Sequence, residues 1–169
     1  DPQANSWTEG VNLPEERTLA SAAAALEGKI YLVGGNGGSS KVGAFDPQTG
    51  AWAEVAPMLT GREDLTAAVV GGRLFAIGGE RSDRDILSTV EAFDPQTGVW
   101  APVAPMHAAR QGLGAAVLDG KLYVAGGYGG GTILATVEVY DPATNAWSQA
   151  PPMSTARCSS GVAALGGKL

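Results

Sequence analysis

The stretch AFDPQTGVWAPVAPM (Ala92–Met106) repeats AFDPQTGAWAEVAPM (Ala44–Met58) almost letter for letter, 48 residues further along the chain. Three landmark residues keep the same register through the whole sequence, in steps of 45, 48 and 47. They are an Asp-Pro pair at Asp1, Asp46, Asp94 and Asp141, a tryptophan at Trp7, Trp52, Trp100 and Trp147, and an arginine at Arg17, Arg62, Arg110 and Arg157. A spacing shared by unrelated residue types indicates an internal repeat.

Each repeat contains short β-prone runs separated by turn residues. In GLGAAVLDGKLYVAGG (Gly112–Gly127), two apolar runs flank Asp119-Gly120, a hairpin signal because glycine accepts the positive φ of a tight turn. The Asp-Pro pair predicts a second turn, since aspartate accepts backbone N–H bonds and proline fixes φ. The alanine run Leu19–Gly28 favours helix on propensity alone, but its register predicts a strand. We therefore predict an all-β protein with four antiparallel strands in each repeat.

Four-stranded units of this length, with a tryptophan and a glycine doublet, resemble kelch repeats, the blades of a β-propeller. The doublets are Gly34-Gly35, Gly78-Gly79 and Gly126-Gly127. The resemblance implies that each doublet ends the second strand and leaves room for aromatic side chains of the third and fourth strands. Those side chains would be Phe45, Phe93, Tyr140, Trp52, Trp100 and Trp147.

The register divides the chain into three complete blades and a partial blade at each end. The predicted complete blades are residues 19–61, 62–109 and 110–156; residues 1–18 supply a fourth strand and a loop, and residues 157–169 begin another blade with a strand at Val162–Leu165. Propellers typically have about 4 to 8 blades, so the sequence indicates a fragment of a longer propeller. A ring closed by two copies leaves unpaired strand edges, which makes assembly with another copy the less favoured alternative.

Composition narrows the classes of partner. The net charge of -6 and the scattered cations argue against nucleic acid, and no apolar run reaches the roughly 18 residues that span a membrane. Cys158 is the only cysteine and His107 the only histidine, so we expect no internal disulfide, no histidine metal cluster and no cofactor. Cys158 beside Arg157 could act as a nucleophile, but no histidine base matches it. The sequence leaves the compartment undecided and favours a protein that is not an enzyme.

The long connections, between strands two and three and between blades, lie on one face of the predicted ring, where we expect binding. Kelch domains that bind peptides use arginine and small polar residues at positions resembling Arg17, Arg62, Arg110 and Arg157. Because an arginine recurs in every repeat, we favour the alternative that it supports packing by pairing with loop carbonyls or acids. Residues that differ between repeats are better specificity candidates: Glu63, Asp64, Gln111, Cys158, Ser159, Lys41, Arg81, Asp83, Arg84, Asp85 and Tyr128.

The leading functional hypothesis is a binding scaffold for a protein or peptide on this face. One alternative is part of a kelch-fold enzyme or sugar-binding protein, similar to the sialic-acid mutarotases, with a small sugar as partner. Another is an engineered or excised repeat fragment without a ligand, which the near-identical phrases would also explain.

Overall fold

The computed structural model describes residues 3, 5, 6, 11–13 and 21–169, so Arg17 and the predicted strand around Trp7 lie outside the described residues. Within the described residues there are fourteen strands and no helix that could cross a lipid bilayer. The strands are β1 (Ala22–Leu26), β2 (Lys29–Val33), β3 (Val42–Asp46), β4 (Ala51–Val55), β5 (Thr66–Val70), β6 (Arg73–Ile77), β7 (Val90–Asp94), β8 (Val99–Val103), β9 (Gly114–Leu118), β10 (Lys121–Ala125), β11 (Tyr128–Gly129), β12 (Thr132–Ile133), β13 (Val137–Asp141) and β14 (Ala146–Ala150).

Twelve of these strands form three four-stranded antiparallel sheets. The first blade is β1–β4, the second is β5–β8, and the third has the order β9, β10, β13, β14. The two remaining strands, β11 and β12, pair as a hairpin between the second and third strands of the third blade. The all-β prediction with three complete four-stranded blades is confirmed, and the alanine run forms the strand β1.

The predicted turns adopt the expected geometry. Asp119 and Gly120, between β9 and β10, both have positive φ, of 50° and 72°. Asp141 Oδ1 accepts the amide of Ala143 at 2.9 Å, as expected of an Asp-Pro turn, and its Oδ2 lies 3.0 Å from Lys121 Nζ. The bond from Lys121 and the backbone amide both hold the pKa of Asp141 below its ordinary value. The tight turns join the first strand of a blade to the second and the third to the fourth. Because the strands are antiparallel, these turns lie at one end of the blades and the longer connections lie at the other.

The blades pack face to face, and the tryptophan of one blade bonds the backbone of the blade before it. Trp100 Nε1 donates to the carbonyl of Ala56 at 2.9 Å, and Trp147 Nε1 repeats this bond to Ala104 at 2.8 Å. Trp52 Nε1 is buried and has no acceptor among the residues described. Within each blade the tryptophan also packs on the aromatic residue of the third strand, as in the Phe93–Trp100 pair with ring centroids 5.3 Å apart.

Each glycine doublet ends the second strand of its blade as predicted, but the prediction that it leaves room for aromatic side chains is wrong. A Cβ at Gly78, where φ is +59°, would lie 2.5 Å from the carbonyl oxygen of Arg110, and at Gly34 it would lie 2.5 Å from that of Arg62. The same Cβ atoms would approach the methyl groups of Met106 and Met58 at 3.1 and 3.5 Å. The doublet thus makes room for the backbone at the start of the next blade and for a methionine in the connection that leads to it, whereas the aromatic residues pack on each other.

The strand predicted at Val162–Leu165 does not form. Leu165 and Lys168 exchange backbone hydrogen bonds of 2.9 and 3.1 Å around Gly166-Gly167, but the residues before Leu165 belong to no strand. The corresponding runs in the three blades pair with a full second strand, and no such strand lies beside this run among the described residues. Within the described part of the chain, residues 162–164 therefore lack the ladder bonds that stabilise the first strand of a blade.

Candidate binding face

Arg62 lies at the start of the second blade, and its side chain is wholly buried. One terminal nitrogen donates to the carbonyls of Gly78 and Thr89, both at 3.0 Å. The other donates to Glu91 Oε1 at 2.6 Å and to the hydroxyl of Thr89 at 3.3 Å. The guanidinium therefore ties the start of the first strand of its blade to the ends of the second and third strands.

Glu91 completes this arrangement by binding backbone as well as arginine. Its two carboxylate oxygens accept the amides of Leu59 and Thr60, in the connection from the preceding blade, at 2.7 and 3.0 Å. Glu91 is itself 3% exposed, so the ion pair with Arg62 is closed to solvent. The ion pair lies within the second blade, and the same carboxylate ties that blade to the connection from the first.

The third blade repeats the pair with Arg110 and Glu138. Arg110 donates to the carbonyl of Gly126 at 2.9 Å and to Glu138 Oε1 at 2.6 Å, and both side chains are buried. Glu138 Oε2 accepts the amide of His107 at 2.7 Å, and His107 Nδ1 lies 2.8 Å from the same oxygen. His107 is 55% exposed and lies in the connection between β8 and β9.

These contacts correct the choice of Arg62 and Arg110 as ligand-binding residues and support the packing alternative. Neither guanidinium is exposed, and a ligand would have to displace its carbonyl and carboxylate partners. Burial lowers the pKa of Arg62, while the charge and hydrogen bond of Glu91 act to raise it. Arg157 is exposed, unlike the other two, and Arg17 lies outside the described residues.

The backbone that follows each arginine forms the inner rim of the long-loop face. The carbonyl of Asp64 accepts the amide of Gly112 at 2.8 Å, and the carbonyl of Gly112 accepts that of Ser159 at 2.6 Å. These three residues occupy the same position in successive repeats, and all have a left-handed backbone, with φ of 50°, 58° and 51°. Asp64 and Ser159 thus have exposed side chains on a hydrogen-bonded rim that links successive repeats.

Two rows of side chains cross the long-loop face. In the second-blade row, Glu63 pairs with Glu80, which pairs with Ile86. In the third-blade row, Gln111 pairs with Tyr128, which pairs with Ile133. Directly opposite residues of antiparallel segments place their side chains on the same side, so each row presents three adjacent side chains.

The two rows differ in chemistry. The second-blade row carries two carboxylates, one of which, Glu63 Oε2, accepts the amide of Gly37 from the first blade at 2.9 Å. The third-blade row is uncharged, with Tyr128 and Ile133 38% and 46% exposed. Gln111 Oε1 is buried without a hydrogen-bond donor in the part of the chain that the structure describes.

The remaining candidates lie on the connections around these rows. Arg81 and Asp83 form an exposed ion pair of 3.6 Å, and Arg84 and Asp85 are exposed in the same loop. Exposed residues at two further places are Lys41, before β3, and Cys158, between Arg157 and Ser159. Among the described residues, no three His, Cys, Asp or Glu side chains are grouped as metal ligands. All candidates other than Arg62, Arg110 and Arg17 therefore belong to one face as half-buried or exposed residues.

Three residues of this face and one ion pair were not predicted from the sequence. Glu80, Ile86 and Ile133 were not among the candidates, although Glu80 directly follows a recognised glycine doublet and Ile86 and Ile133 each follow one within seven residues. The pairing of Arg62 with Glu91 has a signal in the sequence, because Arg110 and Glu138 recur at nearly the same separation. The first repeat has Gly43 in place of this glutamate.

Comparison with known proteins identifies the family. A family model described as the Kelch motif matches residues 17–59, 61–107 and 109–154. The chain belongs to the kelch family. The three matched segments agree with the three blades of the structure, so the kelch β-propeller fold is confirmed.

Named kelch relatives match only part of their own length. The chain is 39% identical over 97 residues to Kelch repeat and BTB domain-containing protein 13 of Mus musculus, covering 54% of this chain and 21% of that protein. It is 37% identical over 78 residues to Kelch-like protein 35 of Homo sapiens, covering 46% of this chain and 13% of that protein. The solved structure of YjhT, a kelch β-propeller, superposes with a TM-score of 0.77 over 89% of this chain and 56% of that chain, at 19% identity. The chain thus spans about a fifth or less of its curated relatives and about half of YjhT.

Proposed function

We propose that this kelch segment is a binding scaffold that recognises a protein or peptide through its long-loop face. The observation that carries the proposal is the division between the residues that recur in the repeats and those that differ. The recurring Arg62 and Arg110 are buried within the blades, whereas the rows beginning at Glu63 and Gln111 differ in charge and lie at the surface. A scaffold that holds variable side chains on a fixed backbone is suited to recognition.

Pre-organisation supports a macromolecular partner. The rim is fixed by hydrogen bonds between successive repeats, such as those joining Asp64, Gly112 and Ser159, so little backbone entropy would be lost on binding. The face combines an acidic row with an uncharged row and an exposed Arg81–Asp83 pair, which offers several chemically distinct contacts over a broad surface. A peptide or protein surface can satisfy such separated contacts at once.

A displayed library of random twelve-residue peptides, selected on the immobilised chain, tests the proposal. The tightest peptide is then titrated into the isotopically labelled chain and followed by amide NMR shifts. We expect shifts in the connections 34–41, 78–89 and 126–136, and none in the tight turns 27–28, 71–72 and 119–120. A matched pair of variants, Arg84→Gln on the long-loop face and Lys29→Gln at the tight-turn end, each removes one exposed positive charge. Shifts confined to the tight turns, or selection of no peptide, would contradict the proposal.

A further inference from the structure

The hairpin β11–β12 offers an open backbone edge beside an apolar surface. Tyr128 and Gln111 exchange both backbone hydrogen bonds, at 3.0 and 2.8 Å, so the polar groups of Tyr128 point toward Gln111. Because bonded and non-bonded pairs alternate across antiparallel strands, Tyr128 and Ile133 form a non-bonded pair. The amide and carbonyl of Ile133 therefore point away from the hairpin. Among the described residues, this carbonyl receives only the hydroxyl of Thr132, at 3.4 Å.

The edge is held rigidly. Gly130 and Gly131 close the hairpin with φ of 58° and 81°, a two-residue turn that fixes the register of the strands it joins. At the other end, Leu134 donates to the carbonyl of Gly127 at 2.8 Å and accepts the amide of Arg157 at 3.1 Å. An element anchored at both ends loses little freedom when another strand is added.

The side chains at this edge define what an added strand would carry. Tyr128 and Ile133 are adjacent on one side of the hairpin, and both are more than a third exposed. The row contains no charged residue, and Gln111 Oε1 is an acceptor without a donor within the described residues. The equivalent second-blade row begins with two carboxylates, and its outer residue, Ile86, is half-buried. The third-blade row is therefore suited to an apolar, uncharged segment.

We propose that a partner segment adds to the hairpin as an extended strand, pairing its backbone with Ile133 and placing an uncharged apolar side chain against Tyr128 and Ile133. This inference rests on the proposed function and names the segment of the partner that the third blade recognises. Strand addition draws affinity from backbone hydrogen bonds and selectivity from the side chains that alternate along the added strand. We expect charged segments of the partner to bind elsewhere on the long-loop face.

The test uses peptides selected from the displayed twelve-residue library on the full chain. Affinity is measured for the wild type and for three variants, Tyr128→Ser, Ile133→Ser and the control Leu59→Ser, which changes an apolar residue 64% exposed on the same face but outside the row. We expect about a tenfold loss at either row position, the usual effect of truncating a central contact, and little change at the control. Unfolding midpoints of all variants report whether the fold is retained.

A second measurement needs only the wild-type chain. The selected peptide is methylated on one backbone nitrogen at a time, which removes a donor without changing a side chain. Strand addition predicts that methylation of one amide near the apolar residue abolishes binding while methylation of the amides on either side is tolerated, because the Ile133 carbonyl accepts one amide and adjacent amides of an added strand face away from the hairpin. Peptides that bind but respond neither to the row variants nor to methylation would overturn the inference and leave the proposed function standing. Selection of no peptide would overturn both.

Discussion

Replacing Glu138 with glutamine tests whether the buried ion pairs hold the blades together. Glu138 Oε1 accepts Arg110 at 2.6 Å and the amide of Ala108 at 3.2 Å, while Oε2 faces the backbone and ring nitrogens of His107 at 2.7 and 2.8 Å. Glutamine keeps the shape but turns an NH₂ group toward donors on one side or the other. It also leaves the Arg110 charge buried without compensation.

The expected loss is about 3 to 5 kcal/mol of unfolding free energy, the cost of breaking a buried pair by removing one partner. With a urea m-value of about 2 kcal/mol/M, the unfolding midpoint should fall by roughly 1.5 to 2.5 M. Tryptophan fluorescence during urea unfolding measures this shift, because Trp147 packs in the same blade. The control is Asp83→Asn, which breaks an exposed pair with Arg81 and should leave the midpoint unchanged.

A double variant separates the ion pair from the backbone bonds of the carboxylate. Replacing Arg110 with methionine and Glu138 with leucine removes both charges, which for an isolated buried pair can be neutral. Here the amides of His107 and Ala108 would still lose their acceptor, at about 1 to 3 kcal/mol each. The double variant should therefore remain less stable than the wild type. A Glu138→Gln midpoint within about 0.5 M of the wild type, the shift that roughly 1 kcal/mol produces, would refute this account of the interface.

Three further perturbations follow from the packing and the turns. Gly78→Ala should lower the unfolding free energy by about 1 to 3 kcal/mol more than Gly71→Ala, since both glycines have φ of 59° but only at Gly78 would the added Cβ lie 2.5 Å from a backbone oxygen, that of Arg110. Equal losses in urea unfolding would exclude this close approach. Trp100→Phe should cost about 1 kcal/mol more than Trp52→Phe, because of the two only Trp100 has a backbone acceptor among the described residues, and the reverse order would contradict this. The pKa of Asp141 is lower in the folded protein than its ordinary value of 3.8, so the ionised carboxylate stabilises the fold above pH 3.8, and this stabilisation is lost as the pH falls through the folded pKa. Asp141→Asn should therefore make the urea midpoint less dependent on pH between about pH 5 and 3, and an unchanged slope would contradict this.

The sequence predicted the blades well because strand formation here depends on local patterns. Asp119-Gly120 and the apolar runs on either side are enough to predict a tight turn. The register of the repeat correctly predicted a strand around Ala24, despite the helical propensity of that run. The sequence was a poorer guide to features that depend on contacts between blades. The space at Gly78 serves the Arg110 carbonyl of the next blade, 32 residues away, which no local pattern reveals. The run beginning at Val162 has the pattern of a strand but does not form one, and no second strand pairs with it among the described residues.

The contacts of Arg62 agree with the role favoured for the repeated arginine, support of packing through loop carbonyls and acids, and they supply the physical reason. A repeated arginine next to a binding face suggests a ligand contact, but a buried guanidinium needs its donors satisfied inside the protein, and Arg62 uses Gly78, Thr89 and Glu91 for this. The favoured role did not name these partners, which lie 16 to 29 residues further along the chain, in or beside other strands.

The same constraint explains where specificity can reside. An arginine enclosed by fixed carbonyl and carboxylate partners must stay the same from blade to blade, so it cannot be altered to suit a ligand without loss of stability. The next residue in the chain is free of that constraint, since its backbone pairs with the residue after the glycine doublet and its side chain is half-buried rather than enclosed, as for Glu63 and Gln111. The residue after each glycine doublet, Glu80 or Tyr128, lies beside it for the same reason. Variation at these paired positions can change the chemistry of the face while the buried network, and with it the blade, is preserved.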